Sequence, residues 1–125
     1  KLAEQFGIGN NLKDRIQSYS HGMKQKLLII SVLLYNPKNW ILDEPMTGLD
    51  PKASYTLKNL MKEHSKKGNT VFFSTHVLEV AEKICDKIAV IDKGKIIFVG
   101  TCEELKEKSK TNTSLEESFL KIIEG

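Results

Sequence analysis

Two short apolar runs, residues 40–42 (Trp-Ile-Leu) and 71–74 (Val-Phe-Phe-Ser), flank an amphipathic stretch that opens on Asp50-Pro51 and closes on Gly68. Aspartate caps a helix well, and proline suits the first helical position, where its missing N–H is not needed. Ala53, Leu57, Leu60, Met61 and His64 then recur by fours and threes, which makes one helix face apolar. Lys66 and Lys67 place positive charge at the helix C-terminus, where the dipole favours it. Strand, helix and strand in this order predict an α/β fold with parallel strands.

The remaining pattern extends this reading. Residues 2–6 fit the end of a helix stopped by Gly7 and Gly9, and Ser20 fits the cap of a second helix running to Leu34, halted by Asn36-Pro37. Residues 77–84 predict a further helix. Residues 88–91 and 96–99 are β-rich runs around Lys93-Gly94, a hairpin signal. Thr101 with Glu104, and Ser114 with Glu117, fit capping boxes for two terminal helices, the last with Leu115, Phe119, Ile122 and Ile123 on one face. The hairpin is expected to add an antiparallel edge to the sheet.

Composition narrows the classes of partner. A net charge of +3 over 125 residues is too small to argue for nucleic acid, and the lysines alternate with acids as on solvated helix faces. Cys85 and Cys102 show no paired spacing and are expected to be reduced structural thiols. The apolar stretch 27–35, broken by Ser31, falls well short of the ~20 residues of a membrane span.

Four segments could carry chemistry. Asp43 and Glu44 end the first apolar run, at the strand end where open α/β sheets place their ligand crevice. One carboxylate there can hold Mg²⁺ and the other can act on a water; taken alone, the pair is more often a surface or salt-bridged one. In Tyr19-Ser20-His21-Gly22-Met23, a helix N-terminus offers a hydroxyl and free N–H groups to an anion, or is simply a serine-capped helix. His76 follows the second strand and could reach the same crevice to donate to a phosphate. A lone histidine is more often structural or exposed, the reading that fits His64. Gly48-Leu49-Asp50-Pro51 alone is a turn feeding a capped helix.

In order and spacing, the four together resemble the C-terminal part of the ATP-binding subunit of an ABC transporter. Tyr19 to Met23, followed by Lys24-Gln25-Lys26-Leu27, resembles the signature segment and its helix. Trp40 to Pro45 resembles the Walker B strand, residues 48–51 the D-loop, and His76 the switch histidine. His21 and Met23 depart from the usual glycine and glutamine, a variant that resembles bacterial subunits of the bacitracin-, daunorubicin- and sodium-export type. A Gly-x-x-x-x-Gly-Lys-Ser/Thr phosphate loop is absent from the sequence.

The resemblance implies a partial P-loop NTPase-like three-layer fold, with a largely parallel sheet, a C-terminal hairpin and two terminal helices. Residues 1–36 would end a helical subdomain and 37–125 would belong to the ATPase core, one incomplete domain without its Walker A half. It implies ATP and Mg²⁺ as cofactors, Asp43 on the metal, Glu44 polarising water and His76 on the γ-phosphate. Ser20, His21, Gly22 and Met23 would close on ATP held by a second subunit in a head-to-tail dimer, with Asp50 at that interface. A membrane permease, a place on the cytoplasmic face and coupling to export follow. The chain alone is expected to be inactive and prone to self-association. A soluble ABC-type ATPase of DNA repair or translation, or a non-catalytic binding module, are the alternatives.

Overall fold

The computed structural model describes residues 1–110 and 114–124. Two compact units are distinguishable, Lys1–Ser74 and residues 75 onward.

The first unit begins with a short helix, α1 (Leu2–Gln5), and two 3-10 turns, Gly9–Asn11 and Ile16–Ser18. Gly7 turns the chain at φ 73° between Phe6 and Ile8, both 2% exposed. Tyr19 is also buried, and its hydroxyl donates to the Asn11 carbonyl at 2.6 Å, fixing the approach to α2 (His21–Tyr35). Ser20 caps α2 by accepting the Met23 N–H at 3.2 Å. Asn36 ends it in the left-handed region at φ 45°, one residue beyond the expected last turn. Ile29, Ile30 and Leu33 are its buried residues.

β1 (Asn39–Leu42) and β2 (Thr70–Phe73) pair in parallel, with Trp40 opposite Val71 and Leu42 opposite Phe73. α3 (Pro51–Lys66) joins them by the expected crossover. Asp50 accepts the Ala53 N–H at 2.9 Å, and Ala53, Leu57, Met61 and His64 are buried along one face. Each large apolar side chain buried in this way stabilises the fold by about 1.5–3 kcal/mol. His64 is structural: it stacks on Trp40 with ring centroids 4.0 Å apart at 14°. Its Nε2 lies 3.0 Å from the Lys38 carbonyl and its Nδ1 3.4 Å from Asn69 Nδ2. The tautomer with its proton on Nε2 satisfies both contacts. On the other face of the pair, the register partners Ile41 and Phe72 are 79% and 64% exposed.

The second unit contains α4 (Leu78–Ile84), β3 (Ile88–Asp92), β4 (Lys95–Gly100), α5 (Cys102–Lys108) and α6 (Leu115–Glu124). Lys93 at φ 48° and Gly94 at φ 76° make the two-residue turn, with positive φ at both positions as the strand twist requires. Among the described residues the hairpin is a two-stranded sheet of its own and is not hydrogen-bonded to β1 or β2, in contrast to the expected added edge. Its register shifts beside Val90, where Phe98 and Ile96 are paired and Ile97 is passed over. The Thr101–Glu104 capping box closes in both directions, at 2.8 and 3.1 Å. Ser114 accepts the Glu117 N–H at 3.2 Å. Val90, Phe98, Cys102, Leu105 and Leu115 form the core, with Phe119 and Ile122 against it. Ser118 is the other buried residue of α6, donating back to the Ser114 carbonyl at 3.1 Å, whereas Ile123 is 36% exposed.

Candidate functional site

Asp43 and Glu44 follow β1 directly, at the C-terminal end of the parallel pair. Asp43 is exposed and Glu44 half-buried. Glu44 adopts φ 43°, a left-handed conformation uncommon for a residue with a Cβ. The chain then turns, with Thr47 N–H on the Glu44 carbonyl at 3.1 Å and Leu49 N–H on the Met46 carbonyl at 3.2 Å. Gly48 sits in this loop at φ 78°.

The N-terminus of α2 docks on the same loop. Gln25 Nε2 donates to the Pro45 carbonyl at 3.3 Å, and Lys26 Nζ lies 2.5 Å from Asp50 Oδ2. The Lys26 hydrogen bond, aided by the Ala53 N–H, holds the Asp50 carboxyl below its ordinary range. Gly22 makes the approach close: a Cβ there would lie 2.8 Å from the Gly48 carbonyl oxygen. His21 faces the loop as well, since a Cβ on Gly48 would fall 3.0 Å from its Cδ2. Ser20, Gly22, Asp43, Glu44 and Asp50 therefore share the first unit, with Asp50 tied directly to α2. His76 lies in the second unit, just after Thr75, whose Oγ1 accepts the Val77 N–H at 3.1 Å.

The donor set discriminates between cations. Among the described residues no group of three or more His, Cys, Asp or Glu is arranged to hold a metal ion. A single carboxylate at a strand end suits a hard cation whose other ligands come from water and substrate phosphates, as Mg²⁺ requires. At α2, Ser20 Oγ accepts Met23 N–H and retains its own proton to donate.

Ser74, whose Oγ accepts the Glu44 N–H at 2.9 Å, was not singled out by the sequence reading, and neither were the partners of Gln25 and Lys26. In the sequence Gln25 and Lys26 belong to the helix that follows Met23, with nothing to mark what they meet, and Ser74 is only the end of a strand.

Comparisons with known proteins bear on the family. The family described as "AAA domain, putative AbiEii toxin, Type IV TA system" matches residues 5–82. The chain is 41% identical over 112 residues to an uncharacterized ABC transporter ATP-binding protein, YxlF, of Bacillus subtilis, covering 90% of this chain and 38% of that protein. It is 36% identical over 112 residues to the daunorubicin/doxorubicin resistance ATP-binding protein DrrA of Streptomyces peucetius, covering 90% and 34%. A solved structure of an ATP-binding subunit of an ABC transporter superposes with a TM-score of 0.91 at 33% identity, covering 97% of this chain and 51% of that one. The chain thus spans about half, or less, of the length of these relatives.

Proposed function

The chain belongs to the ATP-binding subunits of ABC transporters, and from that membership we propose that it supplies the Walker B and signature half of an ATPase that drives transport through a membrane permease. The observation that carries this reading is the docking of α2 on the loop after Asp43-Glu44, through Lys26–Asp50 and Gly22–Gly48. It holds a helix N-terminus and a carboxylate pair in one unit, the two half-sites that such an ATPase needs.

In the proposed reaction Glu44 would orient and polarise the attacking water, and Asp43 would hold Mg²⁺. When bound, Mg²⁺ would neutralise charge on the β- and γ-phosphates. His76 donates a hydrogen bond to the γ-phosphate. Ser20 with the N–H groups of His21, Gly22 and Met23 offers donors to a second nucleotide, held by a partner subunit in a head-to-tail dimer, and Asp50 stands at that interface. The phosphate loop serving Asp43 and Glu44 would lie upstream of Lys1. Residues 1–36 would then end the helical subdomain and 37–125 complete the ATPase core.

No helix among the described residues is long and apolar enough to cross a membrane. We place the protein on the cytoplasmic face, bound to its permease. The resistance function in the name of the Streptomyces relative supports export. Exposed Ile41 and Phe72 support self-association of the chain when isolated.

The test is calorimetry and phosphate release on residues 1–125 beside the longer subunit that carries a phosphate loop. The longer protein should bind ATP and hydrolyse it, and the shorter one should do neither measurably. Micromolar ATP affinity in the shorter chain would count against the reading.

A further inference from the structure

Ser74 stands at the end of β2, opposite the carboxylate pair, and makes three hydrogen bonds to three successive residues. Its N–H donates to the Leu42 carbonyl at 3.0 Å, its Oγ–H donates to Asp43 Oδ1 at 2.5 Å, and its Oγ accepts the Glu44 N–H at 2.9 Å. A hydroxyl has one proton and two lone pairs, and this one uses both functions on adjacent residues. The bond from Glu44 falls on the residue at φ 43°, a conformation that persists where surrounding contacts hold it.

We infer that Ser74 is a positioning residue of the ATPase site, fixing the carboxylate plane of Asp43 and the backbone turn that aims Glu44. The inference rests on the functional reading above. By engaging Oδ1, Ser74 selects which edge of the Asp43 carboxylate meets a cation. By holding the Glu44 amide, it fixes the point from which that side chain departs. Ser74 is exposed, so neither substitution opens a core cavity. Alanine would lose both bonds, whereas threonine keeps the hydroxyl.

The experiment uses the longer subunit, with wild type, Ser74→Ala and Ser74→Thr. For Ser74→Ala, kcat should fall about tenfold or more with KM for ATP within about twofold, and half-maximal Mg²⁺ should rise. Ser74→Thr should restore most of the rate. In the nucleotide-free protein, hydrogen exchange at the Glu44 amide should speed up in Ser74→Ala but not in Ser74→Thr, with melting temperatures unchanged. A Ser74→Ala enzyme with wild-type kcat and wild-type exchange would overturn the inference alone. So would Ser74→Thr failing as badly as Ser74→Ala. Wild type without ATPase activity would overturn the functional reading, and this inference with it.

Discussion

Lys26 Nζ and Asp50 Oδ2 lie 2.5 Å apart, joining the helix that follows Ser20 to the residue that caps α3. The lysine side chain is 13% exposed and the aspartate 49%, so this pair is half-screened. Its value is therefore geometric before it is energetic.

The two functions of Asp50 are separable by mutation. Asparagine also caps helices, so Asp50→Asn should remove only the ion pair, costing about 1 kcal/mol or less. Asp50→Ala should cost about a further 1 kcal/mol by losing the cap. The Asp50 carboxyl is held below its ordinary range, so it binds its proton more weakly folded than unfolded. The ion-pair contribution should be complete above the ordinary carboxylate range and vanish as pH falls through the depressed value. Urea unfolding of wild type and Asp50→Asn at neutral and acid pH checks both statements.

Gly22→Ala sets two effects against each other. Alanine favours the helix by up to about 1 kcal/mol over glycine. Its Cβ would meet the Gly48 carbonyl oxygen at 2.8 Å, with backbone on both sides. Overpacking of this kind costs about 1–3 kcal/mol, so a net loss of stability is expected. A stabilised variant in urea unfolding would show that α2 does not dock as closely as described.

His64→Leu keeps an apolar bulk but leaves the Lys38 carbonyl without the imidazole proton and Asn69 without its acceptor. The Lys38 carbonyl keeps the Thr70 N–H at 3.1 Å, so losing these two part-buried hydrogen bonds should cost about 1–2 kcal/mol. Trp40 is the single tryptophan and stacks on His64, so its fluorescence reports the unfolding directly. Unchanged stability would contradict the structural role of His64.

Burial pushes the Cys85 thiol up to about 11, with the Cys102 and Asp86 charges adding to the effect. At pH 8 little thiolate is present, and alkylation by iodoacetamide should run at least about tenfold slower folded than in urea. Equal rates in the two states would refute this burial.

Local chemistry made much of the fold legible. The caps at Ser20, Asp50 and Thr101, and the Lys93-Gly94 turn, are set by residues within four positions of each other, and each formed as expected. What sequence did not disclose depends on packing between distant segments. Ser74 meets Asp43 across 31 positions, and no periodicity marks a serine that will bridge two strands. Lys26, two residues after Lys24, carries no sign that it, and not Lys24, faces Asp50. On α6, Ser118 is buried with its hydroxyl satisfied by its own helix, while Ile123, in the last turn, is 36% exposed. The resemblance located Asp43 and Glu44, but their mutual arrangement became visible only with the β1–β2 register.

The most direct test is the rate of ATP hydrolysis by the longer subunit with Glu44→Gln. Glutamine keeps the size and the backbone turn but cannot polarise water as a carboxylate does. The expected result is a loss of about 10²-fold or more in kcat with nucleotide affinity retained. Hydrolysis at the wild-type rate would contradict the assignment of the carboxylate pair as the centre of the site.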